Sequence, residues 1–331
     1  AVAVAGEHVD ALVAAAASAG TPVSRAELKF DIFYDGIAAD AVPEVEVMHA
    51  EQKNRNVIVY LTEALRAGAA SGSVGAIDTS SIDVSTLDWT INFAQKVGCA
   101  TVEAQQMVVT AQLIRRVRHA LLDRNWQHLE QVLSEAHGKV LADIVAPEIR
   151  LAQDELDNRA ILTELTASLA SGKPQGETGR LYTGSIETQP LADAVALAGR
   201  LGCKTEDARQ MLFTAKVVAR LRHCLLSGDY NEAALTLDAV RGKKLATVAI
   251  AEVRAVQDEV DNWVVMTGLT AAVKTGCIVG DVGGLNTDGV LTEALTRELE
   301  RAKELGQKTP DAHRLVTSGH QLPAPRHPVR A

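Results

Sequence analysis

The chain has 331 residues, 47% of them hydrophobic and 23% charged, with a net charge of −9. That length and balance describe a soluble chain with core enough for two or three domains. The acidic charge and the 3% aromatic content argue against a nucleic-acid partner, which calls for a basic face and rings on which bases can stack. No apolar run approaches the roughly 20 residues of a membrane-spanning helix.

The N-terminal AVAVAGEHVDALVAAAASAG is apolar, but it carries Glu7 and Asp10 and no basic leader, so it does not read as a signal peptide. The first residue is Ala rather than Met, which we read as processing or as part of a longer chain. The four cysteines, Cys99, Cys203, Cys224 and Cys277, include no CxxC pair and do not make a disulfide scaffold. A reducing, cytoplasmic compartment is expected.

A repeat governs the rest. HAEQKNRNVIVYLTEALRAG (49–68) returns as QDELDNRAILTELTASLASG (153–172) and as QDEVDNWVVMTGLTAAVKTG (257–276). Asn54, Asn158 and Asn262 are in register, since 158 − 54 and 262 − 158 are both 104. Gly98, Gly202 and Gly306 keep the same interval, as do Thr101, Thr205 and Thr309, and Glu44, Glu148 and Glu252. Arg118 matches Arg222, and His119 matches His223. A fixed period over most of a chain outranks other fold signals. We therefore expect an all-α fold, a helical repeat array with about four helices per 104-residue unit, glycine-rich loops and a rod-like or curved form.

In chain order, residues 1–47 are a partial N-terminal unit, resembling from residue 12 the second half of a unit. Complete units follow at 48–151 and 152–255, then a truncated unit at 256–316, and a proline-bearing tail at 317–331 that reads as extended. Within the second unit the first helix is predicted over 147–170, opened by Pro147 and stopped by Gly172. Its apolar face is Ile161, Leu162, Leu165 and Leu169, matched by Val57, Ile58, Leu61 and Leu65, and by Val265, Met266, Leu269 and Val273. A glycine loop follows, with glycines at 68, 72 and 75, at 172, 176 and 179, and at 276, 280 and 283. Each should supply a positive φ or a close backbone approach. Further helices are predicted over 187–201, from a Thr205 cap to about 226, and over 230–240.

Candidate chemistry is sparse, and each candidate has a structural explanation. The pairs Glu51/Asn54, Glu155/Asn158 and Glu259/Asn262 lie three apart on one helix face, where such residues bond a neighbouring element and fix register more often than they bind a ligand. They carry no repeated His or Cys, so no metal site is expected. His119 and His223 have no nucleophile or carboxylate partner in the sequence. Cys99 and Cys203 are replaced by Gln307 in the third unit, which disfavours a nucleophile. The glycine loops lack GK[ST] and a preceding strand, which excludes phosphate-loop and dinucleotide motifs. The stretch GLNTDGVL (284–291) suggests a calcium loop, but Gly284 and Leu295 stand where acids are needed. The basic stripe Arg115, Arg116, Arg118 and its counterpart Lys216, Arg220, Arg222 read as a solvated or interhelical charged face. Gln112–Arg116 resembles the start of a calmodulin-binding IQ motif, with Val117 where Gly is preferred, so a calmodulin-like partner is a minor reading.

VRHALLDRNWQHLEQVL (117–133) and LRHCLLSGDYNEAALTL (221–237) resemble the helical repeats of IQGAP-type cytoskeletal scaffolds over about 17 residues per unit. The unit length also resembles that of spectrin repeats, from which the glycine loops and short helices depart. The resemblance implies a scaffold that binds other proteins or further copies of itself, in a cytoskeletal or ciliary assembly, and supplies no site residues. No catalytic residue and no cofactor are expected. Glu51, Asn54, Glu155, Asn158, Glu259, Asn262, Arg118 and Arg222 are the interaction or register candidates. The alternative is a ligand-binding or regulatory helical domain of a larger enzyme.

Overall fold

The computed structural model describes residues 43–275 and 292–320. The third glycine loop with its calcium-like stretch, Cys277, the tail from residue 321 and nearly all of the partial N-terminal unit lie outside them. Among the described residues the chain is helical. Helix α1 is Pro43–Ala67, α2 Ser85–Val97, α3 Val102–Leu122, α4 Trp126–Ala136 and α5 Ala146–Ala170. Then come α6 Gln189–Leu201, α7 Glu206–Ser227, α8 Tyr230–Val240, α9 Thr247–Thr275, α10 Thr292–Leu305 and α11 Pro310–His320. Two compact units are formed, one running to Ser71 and resuming over Asp78–Ala152, the other comprising Gly72–Ile77 and the chain from Gln153 onward.

The helix boundaries follow local chemistry. Thr205 keeps an extended backbone and its hydroxyl accepts the amide of Ala208, which opens α7. Thr101 does the same for α3 through Ala104. These hydroxyls occupy one of the four amides that a helix start leaves without a partner. Gly228, in the left-handed region at φ +70°, ends α7, and Asp229 then caps α8 by accepting from Glu232. Helices predicted from sequence over 147–170, 187–201 and 230–240 are present within two residues of those bounds.

Each helix buries its apolar stripe. In the first unit Val57, Leu61 and Leu65 of α1 are buried together with Leu87 and Ile91 of α2 and Ala111, Ile114 and Leu121 of α3. In the second unit Ile161, Leu165 and Leu169 pack with Leu191 and Ala194 of α6 and Ala208, Ala215 and Val218 of α7. Val256 and Val260 of α9 pack with Leu221, Leu225, Ala233 and Leu237. Val265 and Leu269, farther along α9, pack with Ala302, Ala312 and Val316. The small Ala contacts let helices close in without large aromatics. The expected face fails at one place: Val273 is 38% exposed, whereas its counterparts Leu65 and Leu169 are 2% and 0%.

The first glycine loop holds an unexpected element. Ser71–Ser73 and Ala76–Asp78 form a two-stranded hairpin, the strands β1 and β2. The corresponding stretch of the next loop keeps a single antiparallel bridge, Gln175 to Tyr182. Three-residue strands lie below the length at which alternation can be read.

Replacing Thr205 by Ala is expected to lower the unfolding free energy by about 1 kcal/mol, and Thr205→Ser to restore most of it. Urea denaturation followed by circular dichroism measures this; an unchanged midpoint would show that the cap carries no weight.

Candidate functional site

Arg118 stands where α3 crosses the end of α1, with no side-chain exposure. Its Nε donates to Glu148 Oε1 at 2.9 Å and its Nη2 to Glu148 Oε2 at 3.1 Å. Nη1 donates to the carbonyls of Ala64 (3.3 Å) and Asp83 (2.9 Å), and Nη2 also to that of Leu65 (2.7 Å). These are five bonds for five guanidinium donors, so the charge is fully satisfied. Ala64 and Leu65 lie in the last turn of α1, where carbonyls have no partner within the helix and the helix dipole is negative. Arg118 is thus the C-terminal cap of α1, supplied from another helix.

The same arrangement occurs around Arg222, 104 residues on. Nε and Nη2 bind Glu252 at 2.7 and 2.9 Å. Nη1 reaches the carbonyls of Glu187 (2.9 Å) and Ser168 (3.5 Å), and Nη2 that of Leu169 (3.5 Å). Of the solvated and interhelical alternatives for the stripe, these two residues take the interhelical one, as buried ion-pair hubs. Arg115, Arg116, Lys216 and Arg220 lie toward solvent, and the three arginines pair with Asp88, Glu135 and Glu232. Leu113 and Ile114 of the IQ-like run are buried in the core.

The arginine also closes the glycine loop. The Asp83 amide donates to the Gly68 carbonyl (3.3 Å), and Glu148 Oε1 accepts the amide of Ala70 (3.0 Å). A Cβ at Gly68 would lie 2.5 Å from the Asp83 carbonyl oxygen and 2.7 Å from Arg118 Nη1. The glycine is required there by close approach rather than by its φ. Hydrogen bonding from Thr86 holds the Asp83 carboxyl below its ordinary value of 3.8.

The Glu/Asn candidates form a second set of contacts. Within the second compact unit, Glu155 is buried and its Oε2 accepts the amide of Gly75 at 2.5 Å, while its Oε1 takes Arg159 Nε at 2.7 Å. Glu259 likewise accepts the amide of Gly179 at 2.5 Å. Asn158 Oδ1 accepts from the Thr205 hydroxyl, and Asn262 Oδ1 from that of Thr309, each at 2.8 Å. In the first unit Asn54 Oδ1 takes the amides of Ala100 (2.9 Å) and Thr101 (3.4 Å). Each asparagine thus ties the first helix of its stretch to the start of the helix after next. Glu51 differs: it is exposed, and among the described residues it bonds Arg55, at 2.9 Å. Sequence reasoning missed two further repeated links. Lys204 pairs with Asp154 (3.2 Å) and Lys308 with Asp258 (2.8 Å). Thr110 and Thr214 hydroxyls accept the amides of Ala142 and Ala246.

His119 and His223 are exposed. Burial pushes the thiols of Cys99 and Cys203 above their ordinary value of 9.0, away from the thiolate a nucleophile needs. Among the described residues no group of three or more His, Cys, Asp or Glu side chains could hold a metal ion, and no helix is long and apolar enough to cross a membrane. Among the described residues no buried side-chain nitrogen or oxygen is left without a hydrogen-bond partner. No family model, curated protein or solved structure matches this chain.

Arg118→Leu leaves Glu148 buried and unpaired and should lower stability by about 3–5 kcal/mol. Denaturant unfolding checks this; a loss under about 1 kcal/mol would place the carboxylate in contact with water.

Proposed function

We propose that the chain is a non-catalytic scaffold, an array of 104-residue helical units that holds other proteins or further copies of itself. The observation carrying this reading is the saturation of its polar residues. Glu155 is used by Gly75 and Arg159, Asn158 by Thr205, and Arg118 and Arg222 by a carboxylate and three carbonyls each. A catalytic group needs a free lone pair or proton aimed at a substrate. These groups are spent on joining helices and loops instead.

Bonds that recur at a spacing of 104 support the array: Arg118–Glu148 with Arg222–Glu252, Gly75–Glu155 with Gly179–Glu259, and Lys204–Asp154 with Lys308–Asp258. Repeat arrays gain stability from neighbour contacts and present broad surfaces for partners. The likeness of 117–133 and 221–237 to IQGAP-type repeats supports the scaffold reading. The free thiols Cys99, Cys203 and Cys224 fit a reducing compartment, so we place the protein in a cytoplasmic, cytoskeletal or ciliary assembly.

Alanine at Glu155 and at Asn158 separates this reading from a ligand-binding domain of a larger enzyme. The scaffold reading expects Glu155→Ala to cost about 1–3 kcal/mol of stability, because the Gly75 amide loses the acceptor that the buried Glu155 provides. Unchanged stability together with loss of binding to a small molecule, measured by calorimetry, would favour the rival.

A further inference from the structure

The first two glycine loops, 68–79 and 172–183, stand one period apart and differ in charge. GAASGSVGAIDT carries one charged residue, Asp78, for a net −1. Asp78 precedes a short 3₁₀ turn, Thr79–Ser81, and its Oδ1 accepts the amide and the hydroxyl of Ser80 at 2.9 and 2.6 Å. Those bonds hold its carboxyl below the ordinary value of 3.8, so the first loop keeps a fixed anion there. GKPQGETGRLYT instead carries Lys173, Glu177 and Arg180, for a net +1. Its matching turn is Thr183–Ser185, where Tyr182 stands in the place of Asp78 and makes no side-chain cap.

Thr183 lies in the stretch between α5 and α6 and is exposed, next to a Tyr182 that is 66% exposed. Arg180, three residues before it, is exposed as well. The first loop has Ala76 at that position, so the unit folds without an arginine there. A basic side chain three residues ahead of a hydroxyl, on chain open to an approaching cleft, is the charge pattern by which basic-directed protein kinases select substrates. Ser185 is a poorer acceptor, because its hydroxyl is spent on the carbonyls of Lys173 (3.1 Å) and Tyr182 (3.0 Å). We propose that Thr183 is a phosphorylation site for a basic-directed protein kinase, read through Arg180, and that the phosphate gives the second loop the anionic character that Asp78 gives the first. The co-substrate is a nucleoside triphosphate. Its γ-phosphorus leaves the diphosphate oxygen and bonds Thr183 Oγ1, while the hydroxyl proton passes to the carboxylate base of the kinase. A phosphothreonine adds a charge of about −1.5 to −2, which takes the loop from +1 to about −1, the charge of its counterpart. The loop thereby becomes a surface whose sign is switched, whereas the first loop is fixed. This goes beyond the scaffold reading and does not depend on it.

Incubating the folded full-length chain with the catalytic subunit of a basic-directed serine/threonine kinase and labelled ATP, then mapping the phosphate by mass spectrometry, tests this. Phosphate is expected on Thr183, and Thr183→Val should abolish that label. Arg180→Ala should slow its incorporation about tenfold, as loss of a charge-assisted contact does, and Arg180→Lys should recover much of the rate. Thr79 is the internal control: it holds the same place one period earlier, behind Ala76, and should stay unlabelled. No phosphate at Thr183 overturns the proposal. So does a Thr183 label that Arg180→Ala leaves unchanged, or equal labelling of Thr79. The scaffold reading, judged by the stability of Glu155→Ala, stands or falls on its own.

Discussion

The buried arginine–glutamate pair is the constraint on which the surrounding structure depends. A guanidinium without water is costly to bury, and only a full set of acceptors makes its burial tolerable. The chain supplies that set from three separate places: the last turn of α1, the Asp83 carbonyl and the Glu148 carboxylate. Because all of them must converge on one planar fork, the pair fixes where α1 stops, how the glycine loop returns and where α5 begins. Arg is suited to this and Lys is not, since the bonds demand a rigid five-donor fork. Gly68 follows from the same demand, as no side chain fits between Arg118 and the Asp83 carbonyl.

The loop closed in this way becomes a projecting amide donor. Within the second compact unit the Gly75 amide and the Gly179 amide are each taken by a buried glutamate, and the capping threonines next to those glycines are in turn held by Asn158 and Asn262. One helix face thus performs two tasks three residues apart, seating a loop and holding a helix start. Directional bonds between small backbone groups set position more sharply than apolar contact does, because Ala- and Leu-rich faces slide at little cost. A chain poor in aromatics, whose ring contacts among the described residues are local groups such as Tyr60, Trp89 and Phe93, relies on that polar ladder for register.

Much of the helical layout was legible in the sequence because its signals are local. Pro147, Gly172, Thr205 and Gly228–Asp229 mark boundaries through the chemistry of single residues, and the apolar offsets mark the buried face. The role of Arg118 was not legible, because it lies in a stripe with Arg115 and Arg116, and nothing local says which of the three turns inward. The missing signal was long-range: Arg118/Arg222 and Glu148/Glu252 keep the same 30-residue separation. The hairpin was hidden by its length, and the period alone does not tell that Val273, in the last turns of α9, is 38% exposed. For the Glu/Asn pairs the sequence gives a shared face and a period, but no means of naming Gly75 or Thr205 as partners, since those choices are made by tertiary packing.

The central claim, that the buried pair acts as one unit, is tested most directly by a double-mutant cycle on Arg222 and Glu252 in the full chain, using Arg222→Met, Glu252→Leu and the double replacement, followed by denaturant unfolding. The account predicts that each single change costs about 3–5 kcal/mol and that the double costs much less than their sum, because an apolar pair leaves no buried charge. Additive losses would contradict it, showing that the two residues act separately and that the fork does not hold the helix end and loop together.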